Sequence, residues 1–390
     1  MKEISIAVLG STGSIGTTTL RIIKKSKNFK IIILQVNKNF NKICKQIKNF
    51  NPKIVVASNE KTFLKLKKKY HKKKILFLNN LNNINKYTSK VDVTVSAIPG
   101  IAGLKPTLEM IKLSRKMLLA NKESIVCGWS LIKKESLKHK TKLIAIDSEH
   151  FSIHQLTKNN TDKEIEKIYI TASGGPFLQL KKSQFKKIKP KHAIKHPKWK
   201  MGKKISIDSA TLMNKILELI EAYKLFPFSY KKFEIIILPQ SLVHAIVKFK
   251  NGITKLLYHD ADMSIPISNA IFENKTNIKT FNLILKKDQK IENLEFYPVD
   301  QNRFPMVNLI TKINRYKSAP IILNAANEVF VDHFLKSKIS FNSIYNYLSL
   351  VLKDKNYIKY ANMSSNNLDI IYKIDNWSRS VALKIINEIK

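Results

Sequence analysis

Short apolar runs alternate with stretches of helical spacing over the first 147 residues, and this alternation limits the possible folds more than any other feature. Continuous apolar runs of this kind are buried on both faces, which is typical of parallel strands covered by helices. We therefore predict a Rossmann-like, doubly wound parallel sheet, an α/β fold, over residues 1–147. The predicted strands are Ile4 to Leu9, Lys30 to Val36, Lys53 to Ala57, Ile75 to Leu78, Val91 to Ala97, Met117 to Ala120 and Leu143 to Ile146.

The pattern changes after Asp147, and three further regions are predicted. Residues 148–273 are expected to form a central, mixed α/β domain, residues 274–302 a linker, and residues 303–390 a C-terminal helical domain. The dipeptide Asn251-Gly252 predicts a hairpin between the last two strands of the central domain. Its predicted strands are Lys167 to Thr171, Phe233 to Leu238, Leu242 to Phe249 and Ile253 to His259.

Composition indicates a folded chain in a reducing compartment. The hydrophobic content is 44%, and the two cysteines, Cys44 and Cys127, form no Cys-x-x-Cys pair. The beginning of the chain lacks the apolar stretch of a signal peptide or membrane span, so we expect a cytoplasmic protein without membrane contact. The net charge of +42 is almost entirely due to Lys, with five Arg, and is interpreted as a solvated basic surface. A nucleic-acid-binding protein is the alternative.

Three glycines follow the first strand in the segment Gly-Ser-Thr-Gly-Ser-Ile-Gly, at Gly10, Gly13 and Gly16. Glycines at a strand-to-helix turn let the backbone approach a pyrophosphate, which the free N–H groups of the helix N-terminus stabilise. A purely structural turn is the alternative. The second predicted strand leads into Asn37, Lys38 and Asn39, without the acid that holds an NAD ribose. Lys38 could neutralise a 2′-phosphate, so NADPH is favoured over NADH.

Polar segments follow two predicted strands, at Ala120 to Ser124 and at Asp147 to His150. Strand ends face the ligand cleft of an open parallel sheet, and acids two residues apart can share a hard cation. A third segment, from Ser209 to Leu225, is predicted as one amphipathic helix. Its polar face carries Thr211, Asn214, Lys215 and Glu218, and either binds ligand or faces water.

Residues 174–203 are predicted to form a mobile lid. The stretch begins with Gly174, Gly175 and Pro176, and near its end places Trp199 and Met201 where a solvated loop would not favour them. Closure of such a loop would exclude water from a bound substrate. Simple packing of Trp199 within its loop is the alternative.

Together, these segments resemble the 1-deoxy-D-xylulose 5-phosphate reductoisomerase family over nearly the whole chain. The matching stretches are GSTGSIG, ANKES, DSEH, SGGPF, HPKWKMGKKISIDSATLMNK, PQSLVHA and LNAANE. The resemblance implies a homodimeric enzyme that uses NADPH and a divalent cation to rearrange and reduce 1-deoxy-D-xylulose 5-phosphate to 2-C-methyl-D-erythritol 4-phosphate. It also implies that residues 148–273 form the catalytic and dimerisation domain. The sequence departs from the family pattern at Asn37, where Gly is common. Asn tolerates a positive φ better than most residues, so the turn can be retained.

The resemblance also implies site residues by position. The cofactor would contact Thr12, Gly13, Ser14, Ile15, Asn37, Lys38, Asn39, Asn121, Glu123 and Gly202. Mg²⁺ or Mn²⁺, with Co²⁺ as a further candidate, would bind Asp147, Glu149 and Glu218, which with Lys122 form the catalytic set. The substrate would contact Lys122, Ser148, Glu149, Ser173, His196, Trp199, Met201, Ser209, Asn214, Lys215, Glu218 and His244, with Met263 nearby. Another NADP-dependent dehydrogenase of two-domain design, of the homoserine or semialdehyde type, is the alternative enzyme.

Overall fold

The computed structural model describes residues 3–26, 28–199, 201–274 and 293–389. The chain divides into two compact units. The first contains Met1–Ile125, Trp129–Phe151 and Asp262–Asp288, and the second contains Val126–Gly128, Ser152–Ala261 and Gln289–Lys390. Most of the predicted linker, residues 275–292, lies outside the described residues.

The described strands, in chain order, are β1 (Ile4–Leu9), β2 (Phe29–Val36), β3 (Ile54–Ala57), β4 (Leu76–Leu78), β5 (Val91–Ser96), β6 (Ser114–Leu119), β7 (Lys142–Ala145), β8 (Ile165–Ala172), β9 (Phe233–Ile237), β10 (Val243–Phe249), β11 (Thr254–Tyr258) and β12 (Tyr297–Pro298). The described helices are α1 (Ser14–Lys24), α2 (Phe40–Phe50), α3 (Glu60–Lys69), α4 (Leu104–Ile111), α5 (Lys122–His139), α6 (Ser148–Thr157), α7 (Pro190–Ala193), α8 (Lys203–Thr211), α9 (Met213–Leu225), α10 (Ser264–Phe272), α11 (Ile310–Ile313), α12 (Ala319–Leu335), α13 (Phe341–Val351), α14 (Tyr357–Ala361) and α15 (Leu368–Glu388).

The first unit is built on a seven-stranded sheet in the order β4-β3-β2-β1-β5-β6-β7. Every strand pair in it is parallel, as the apolar runs predict. Buried Ile and Val side chains on its strands pack against apolar residues of α1 and α2. Full burial of one such side chain stabilises the fold by about 1.5–3 kcal/mol. Helix α10, from much later in the chain, covers the same core with Ile267 and Ile271.

The second unit contains a five-stranded mixed sheet in the order β11-β10-β8-β9-β12. Strand β10 pairs antiparallel with β11 and β8, whereas β8 and β9 are parallel. The turn at Asn251 and Gly252 joins β10 to β11, with Gly252 at a φ of 87°, so the predicted hairpin is confirmed. Strand β12 was not predicted, because a two-residue strand gives no recognisable alternation.

The C-terminal part of the second unit is helical, as predicted. Helix α12 is almost entirely buried and packs against α13 and α15. Aromatic side chains fill the contact, with Phe330 against Tyr347 and Phe334 against Phe341. Among the described residues, no helix combines the length and apolar character needed to cross a membrane.

The predicted single helix from Ser209 to Leu225 is wrong, because the structure divides this segment. Helix α8 ends at Thr211, Leu212 adopts a left-handed φ of 62°, and α9 begins at Met213. Thr211 therefore does not share a helix with Asn214. A left-handed non-glycine residue costs roughly 1–2 kcal/mol. Leu212 is fully buried, which offsets this cost and explains why no Gly or Pro marks the break.

Within the predicted lid, the structure shows two short elements. A 3₁₀ helix covers Lys182–Lys187, and α7 follows after a short connection. Closure of the lid and the division of the chain into three domains with a linker remain predictions.

Candidate functional site

The glycine turn after β1 has the geometry of a phosphate-binding turn. Gly10 has a φ of 72°, and a Cβ there would lie 2.7 Å from the carbonyl carbon of Ala97. A Cβ on Gly16 would lie 2.6 Å from Ser11 Cα, so both positions require glycine. Helix α1 begins at Ser14, and Gly13 and Ser14 are exposed at its N-terminus. The first turn of α1 therefore offers free backbone N–H groups to an anion.

Two buried glutamines form hydrogen bonds with this turn. Gln35 Oε1 accepts from the Gly10 backbone N–H at 2.8 Å. Gln46 Oε1 accepts from Ser11 Oγ at 2.7 Å, and Gln46 Nε2 donates to the Ser11 carbonyl at 2.8 Å. Buried amides without partners would be costly, so these pairs fix the turn to β2 and α2. The role of these two glutamines could not be predicted from the sequence, because a single Gln belongs to no recognisable motif.

The segment after β2 is exposed and contains no acid, as expected for an NADPH site. Asn37, Lys38 and Asn39 are all exposed, and the Asn39 side chain caps α2 by accepting from the Lys42 N–H at 3.1 Å. The Lys42 ammonium donates to the Thr12 carbonyl at 3.3 Å, which places a second cation beside the glycine turn. Asn37 does not adopt a positive φ, so its replacement of the usual Gly causes no backbone strain here.

Asn121 and Glu123 are buried at the start of α5. Asn121 caps this helix by accepting from the Ser124 N–H at 2.6 Å, and its amide donates to the carbonyls of Gly100 and Ile98. The Asn121 side chain therefore fixes the loop after β5 to the loop after β6.

Lys122 and Asp147 meet because they follow neighbouring parallel strands. Strands β6 and β7 pair directly, so the segments after them lie at one edge of the sheet. The Lys122 ammonium lies 2.7 Å from Asp147 Oδ2. Beside them, Ser148 Oγ donates to Glu149 Oε2 at 2.7 Å, and both side chains are buried. The first unit thus holds two carboxylates, a lysine and a hydroxyl in one cluster.

Ser173 and His196 form a polar pair in the second unit. His196 Nδ1 accepts from the backbone N–H groups of Lys198 and Trp199, at 3.2 and 3.0 Å. Its proton therefore lies on Nε2, which donates to Ser173 Oγ at 2.9 Å. Burial, reinforced by the positive charge of Lys215, lowers the pKa of His196 to about 4. The imidazole is neutral at physiological pH, and the Ser173 hydroxyl hydrogen remains available to a ligand.

A buried ion pair occupies the start of α9. The Lys215 ammonium lies 2.6 Å from Glu218 Oε2, and the Asn214 amide donates to Glu218 Oε1. Glu218 is only 1% exposed. The alternative interpretation, in which the polar face of this segment lies in water, is therefore wrong, because Lys215 and Glu218 are buried inside the protein.

Ser209 lies on α8, close to the loop that carries Ser173. A Cβ on Gly175 would lie 2.9 Å from Ala210 Cα and 3.0 Å from Ser209 O, and Gly175 also has a φ of 68°. Gly175 therefore allows the loop after Ser173 to touch the backbone of α8. This contact explains why two residues far apart in the sequence are held near each other.

At the C-terminal end of the predicted lid, the structure describes Trp199, Met201 and Gly202. Trp199 packs edge-on against buried His244, with ring centroids 5.8 Å apart. His244 stacks on His259 at 3.8 Å, and the latter residue was missed because His-Asp-Ala-Asp matches no motif. Gly202 is the N-cap of α8, and Met263 is the N-cap of α10 in the first unit.

The fold and these clusters define a class of protein. A doubly wound parallel sheet whose first strand enters a glycine turn at a helix N-terminus is the architecture of dinucleotide-dependent oxidoreductases. Lysines at a strand end and on a buried helix, each paired with a carboxylate, can stabilise negative charge that develops on a substrate oxygen.

Comparison with known proteins identifies the family. Sequence models described as 1-deoxy-D-xylulose 5-phosphate reductoisomerase, as its C-terminal domain and as DXP reductoisomerase C-terminal domain match residues 6–128, 143–226 and 259–381. The 1-deoxy-D-xylulose 5-phosphate reductoisomerase of Pelagibacter ubique is 46% identical over 386 residues, covering 97% of this chain and 98% of the relative. That of Wolbachia pipientis is 41% identical over 392 residues, covering 99% and 98%. The chain belongs to the 1-deoxy-D-xylulose 5-phosphate reductoisomerase family.

Solved structures agree with this assignment. DOX-P reductoisomerase in complex with NADPH, fosmidomycin and magnesium matches with a TM-score of 0.92 at 33% identity, covering 99% of both chains. The Zymomonas mobilis enzyme in complex with NADPH matches with a TM-score of 0.86 at 32% identity, again covering 99% of both chains. The predicted family, fold class and enzyme class are therefore confirmed.

Proposed function

We propose that this chain catalyses the rearrangement and NADPH-dependent reduction of 1-deoxy-D-xylulose 5-phosphate to 2-C-methyl-D-erythritol 4-phosphate, a step of the non-mevalonate isoprenoid precursor pathway. The observation that carries the proposal is a pair of lysine–carboxylate contacts, Lys122 with Asp147 and Lys215 with Glu218, in a member of this family. The related solved enzyme binds NADPH, magnesium and fosmidomycin.

NADPH is assigned to the first unit. Its pyrophosphate would lie against the N–H groups of Gly13, Ser14 and Ile15 at the start of α1, beside Thr12. Lys38 would meet the 2′-phosphate, since no carboxylate follows β2 to repel it. Asn121, Glu123 and Gly202 are assigned to the cofactor by the family resemblance alone.

A divalent cation is assigned to Asp147, Glu149 and Glu218. The donor set fits Mg²⁺ or Mn²⁺, because both ions prefer oxygen ligands and all three groups are carboxylates. The ammonium groups of Lys122 and Lys215 lie 2.7 and 2.6 Å from Asp147 and Glu218, so two of the three carboxylates already have a cationic neighbour. When bound, the ion supplies Lewis-acid stabilisation of negative charge on substrate oxygens.

The side chains of the two units have separate tasks in this reaction. Lys122 donates to the substrate oxygen on which charge develops, and Ser148 and Glu149 orient the neighbouring hydroxyl groups. Binding of the phosphate positions the rest of the substrate and so contributes to the rate. The proposed phosphate-binding groups are Ser173, His196, Ser209, Asn214 and Lys215, all in the second unit.

Closure of the lid is assigned to Trp199 and Met201. Trp199 already packs on His244, so an apolar surface is in place to cover the substrate and exclude water. Neutral His196 donates its Nε2 proton to Ser173 Oγ and so orients that hydroxyl group towards the phosphate, whereas Lys215 is assigned as the cation that meets the phosphate.

We also propose that the enzyme is a cytoplasmic homodimer. Strand β11 lies at the edge of the five-stranded sheet and exposes Leu256 and, just before it, Ile253. An exposed apolar edge strand pairs readily with a second chain, and a second copy is the occupant proposed here. Measurement of the molecular mass in solution tests this assignment.

The decisive test is an assay of NADPH oxidation with purified protein and 1-deoxy-D-xylulose 5-phosphate. Turnover is expected with Mg²⁺ or Mn²⁺, loss of turnover after EDTA treatment, and recovery when Mn²⁺ is restored. A parallel reaction with aspartate semialdehyde, the carbonyl compound that a homoserine-type dehydrogenase reduces with NADPH, is expected to show none. Cation-independent turnover of this alternative substrate would refute the proposal.

A further inference from the structure

The motif LNAANE lies on α12, and the proposed function gives it no task. Its second asparagine, Asn327, is completely buried. Asn327 Nδ2 donates to Asp208 Oδ1 at 2.8 Å, across 119 residues of sequence. The contact therefore joins the C-terminal helices to α8 inside the second unit.

Asp208 is a carboxylate that the fold has to stabilise. It is 1% exposed, and its other oxygen, Oδ2, lies 3.0 Å from the Lys204 ammonium one turn earlier on α8. A buried carboxylate is costly unless charge and hydrogen bonds compensate it. Asn327 and Lys204 supply one partner to each oxygen, so the orientation of α8 depends on both.

The position of α8 matters because Ser209 immediately follows Asp208. On the other side, the backbone at Ser209 and Ala210 touches Gly175, two residues after Ser173. Helix α8 is thus held between α12, through Asn327, and the loop that carries Ser173. A shift of α8 would displace Ser209 and disturb Ser173 together.

We propose that Asn327 is a positioning residue for the substrate phosphate, acting through Asp208 on the placement of Ser209. The inference rests on the proposed function and deepens it, because it assigns the C-terminal helices a part in phosphate affinity. Asn327 does not itself touch the substrate.

Asn324 provides a matched control on the same helix. It is equally buried, but its Nδ2 donates to Glu328 within α12 at 3.2 Å and does not reach α8. Glu328 in turn pairs with Arg379 on α15, so this branch of the motif serves only the helical part. Replacing either asparagine by Leu removes one buried amide from one helix.

The experiment compares Asn327→Leu with Asn324→Leu in the full-length enzyme. The measured quantities are kcat, KM for 1-deoxy-D-xylulose 5-phosphate, and the dissociation constants of NADPH and inorganic phosphate. Displacement of Ser209 would remove its hydrogen bond to the charged phosphate, and loss of such a bond corresponds to about a tenfold loss of affinity. We expect KM and the phosphate dissociation constant to rise about tenfold in Asn327→Leu, on the same principle, with NADPH affinity within about twofold of wild type. Asn324→Leu should change neither.

Equal changes in both variants, or an unchanged phosphate dissociation constant in folded Asn327→Leu, would overturn the inference. If Asn327→Leu does not fold, the exchanged pair Asp208→Asn with Asn327→Asp restores the hydrogen bond with its partners reversed. This double variant should recover phosphate affinity relative to Asp208→Asn alone, and failure to do so overturns the inference as well. Failure of the proposed function is distinguishable, because wild-type enzyme would then not oxidise NADPH with this substrate.

Discussion

Replacement of Glu218 by Gln is the most informative single perturbation. The change keeps the shape of the side chain but removes its charge, at a position 1% exposed to solvent. The Lys215 ammonium, 2.6 Å away, would then face a neutral amide oxygen. Breaking a buried ion pair costs about 3–5 kcal/mol when the partner is left alone. Because the amide still accepts a hydrogen bond, we expect a loss of about 2 kcal/mol in the free energy of unfolding.

Turnover should fall far more than stability. Loss of one of three charged cation ligands removes transition-state stabilisation of roughly 4 kcal/mol, which corresponds to about a 10³-fold fall in kcat. The assays are NADPH oxidation at saturating Mn²⁺ and urea unfolding followed by circular dichroism.

Glu328→Gln is the matched control for this variant. It breaks the partly buried pair with Arg379 on the C-terminal helices, far from the proposed chemistry in sequence and role. This control should lose stability and keep kcat. Near-normal turnover in Glu218→Gln, or an equal loss in both variants, would refute the assignment of Glu218 to the cation.

Three further outcomes are expected. Gly175→Ala should destabilise the protein and raise KM for the substrate, because its Cβ would lie 2.9 Å from Ala210 Cα. Its control is Gly252→Ala, because Gly252 also has a positive φ but no atom near the position of an added Cβ; this variant should lower the free energy of unfolding by only about 1 kcal/mol. Lys38→Asp should raise KM for NADPH at least tenfold, on the order of 1.4 kcal/mol, and KM for NADH much less; equal effects argue against the 2′-phosphate contact. The pKa of His196 is lowered from 6.5 to about 4, so the folded state resists protonation and stability should decline as the pH falls from 6.5 towards 4. Urea titrations of wild type and His196→Asn across this range test it, and identical pH slopes would contradict the pKa shift.

The sequence predicts the sheets well because their signal is local. Most of the parallel strands are apolar runs, although β6 begins with Ser114, Arg115 and Lys116, ahead of its predicted start. The hairpin at Asn251-Gly252 is specified by two residues whose backbone preferences select the turn. The spacing of the glycines also predicts the turn, although only Gly16 is required by a contact within a few residues, because Gly10 meets Ala97 after the distant strand β5.

The contacts that build the site could not be predicted in the same way. The break at Leu212 depends on burial of its side chain, which only the folded structure provides. The stack of His259 on His244 joins neighbours across the hairpin of β10 and β11, and the bond from Asn327 to Asp208 spans 119 residues. Site roles for the individual residues came from the family resemblance and remain predictions.

The left-handed turn at Leu212 has a mechanical consequence. It separates α8 from α9, so that Ser209 lies in the last turn of one helix and Lys215 and Glu218 lie in the first turns of the other. A continuous helix would force these groups to rotate and translate as a single piece. Because the helix is broken at Leu212, the orientation of the Ser209 hydroxyl group and that of the Lys215–Glu218 pair are set by different neighbouring residues. A change in the direction of one helix therefore need not displace the groups on the other.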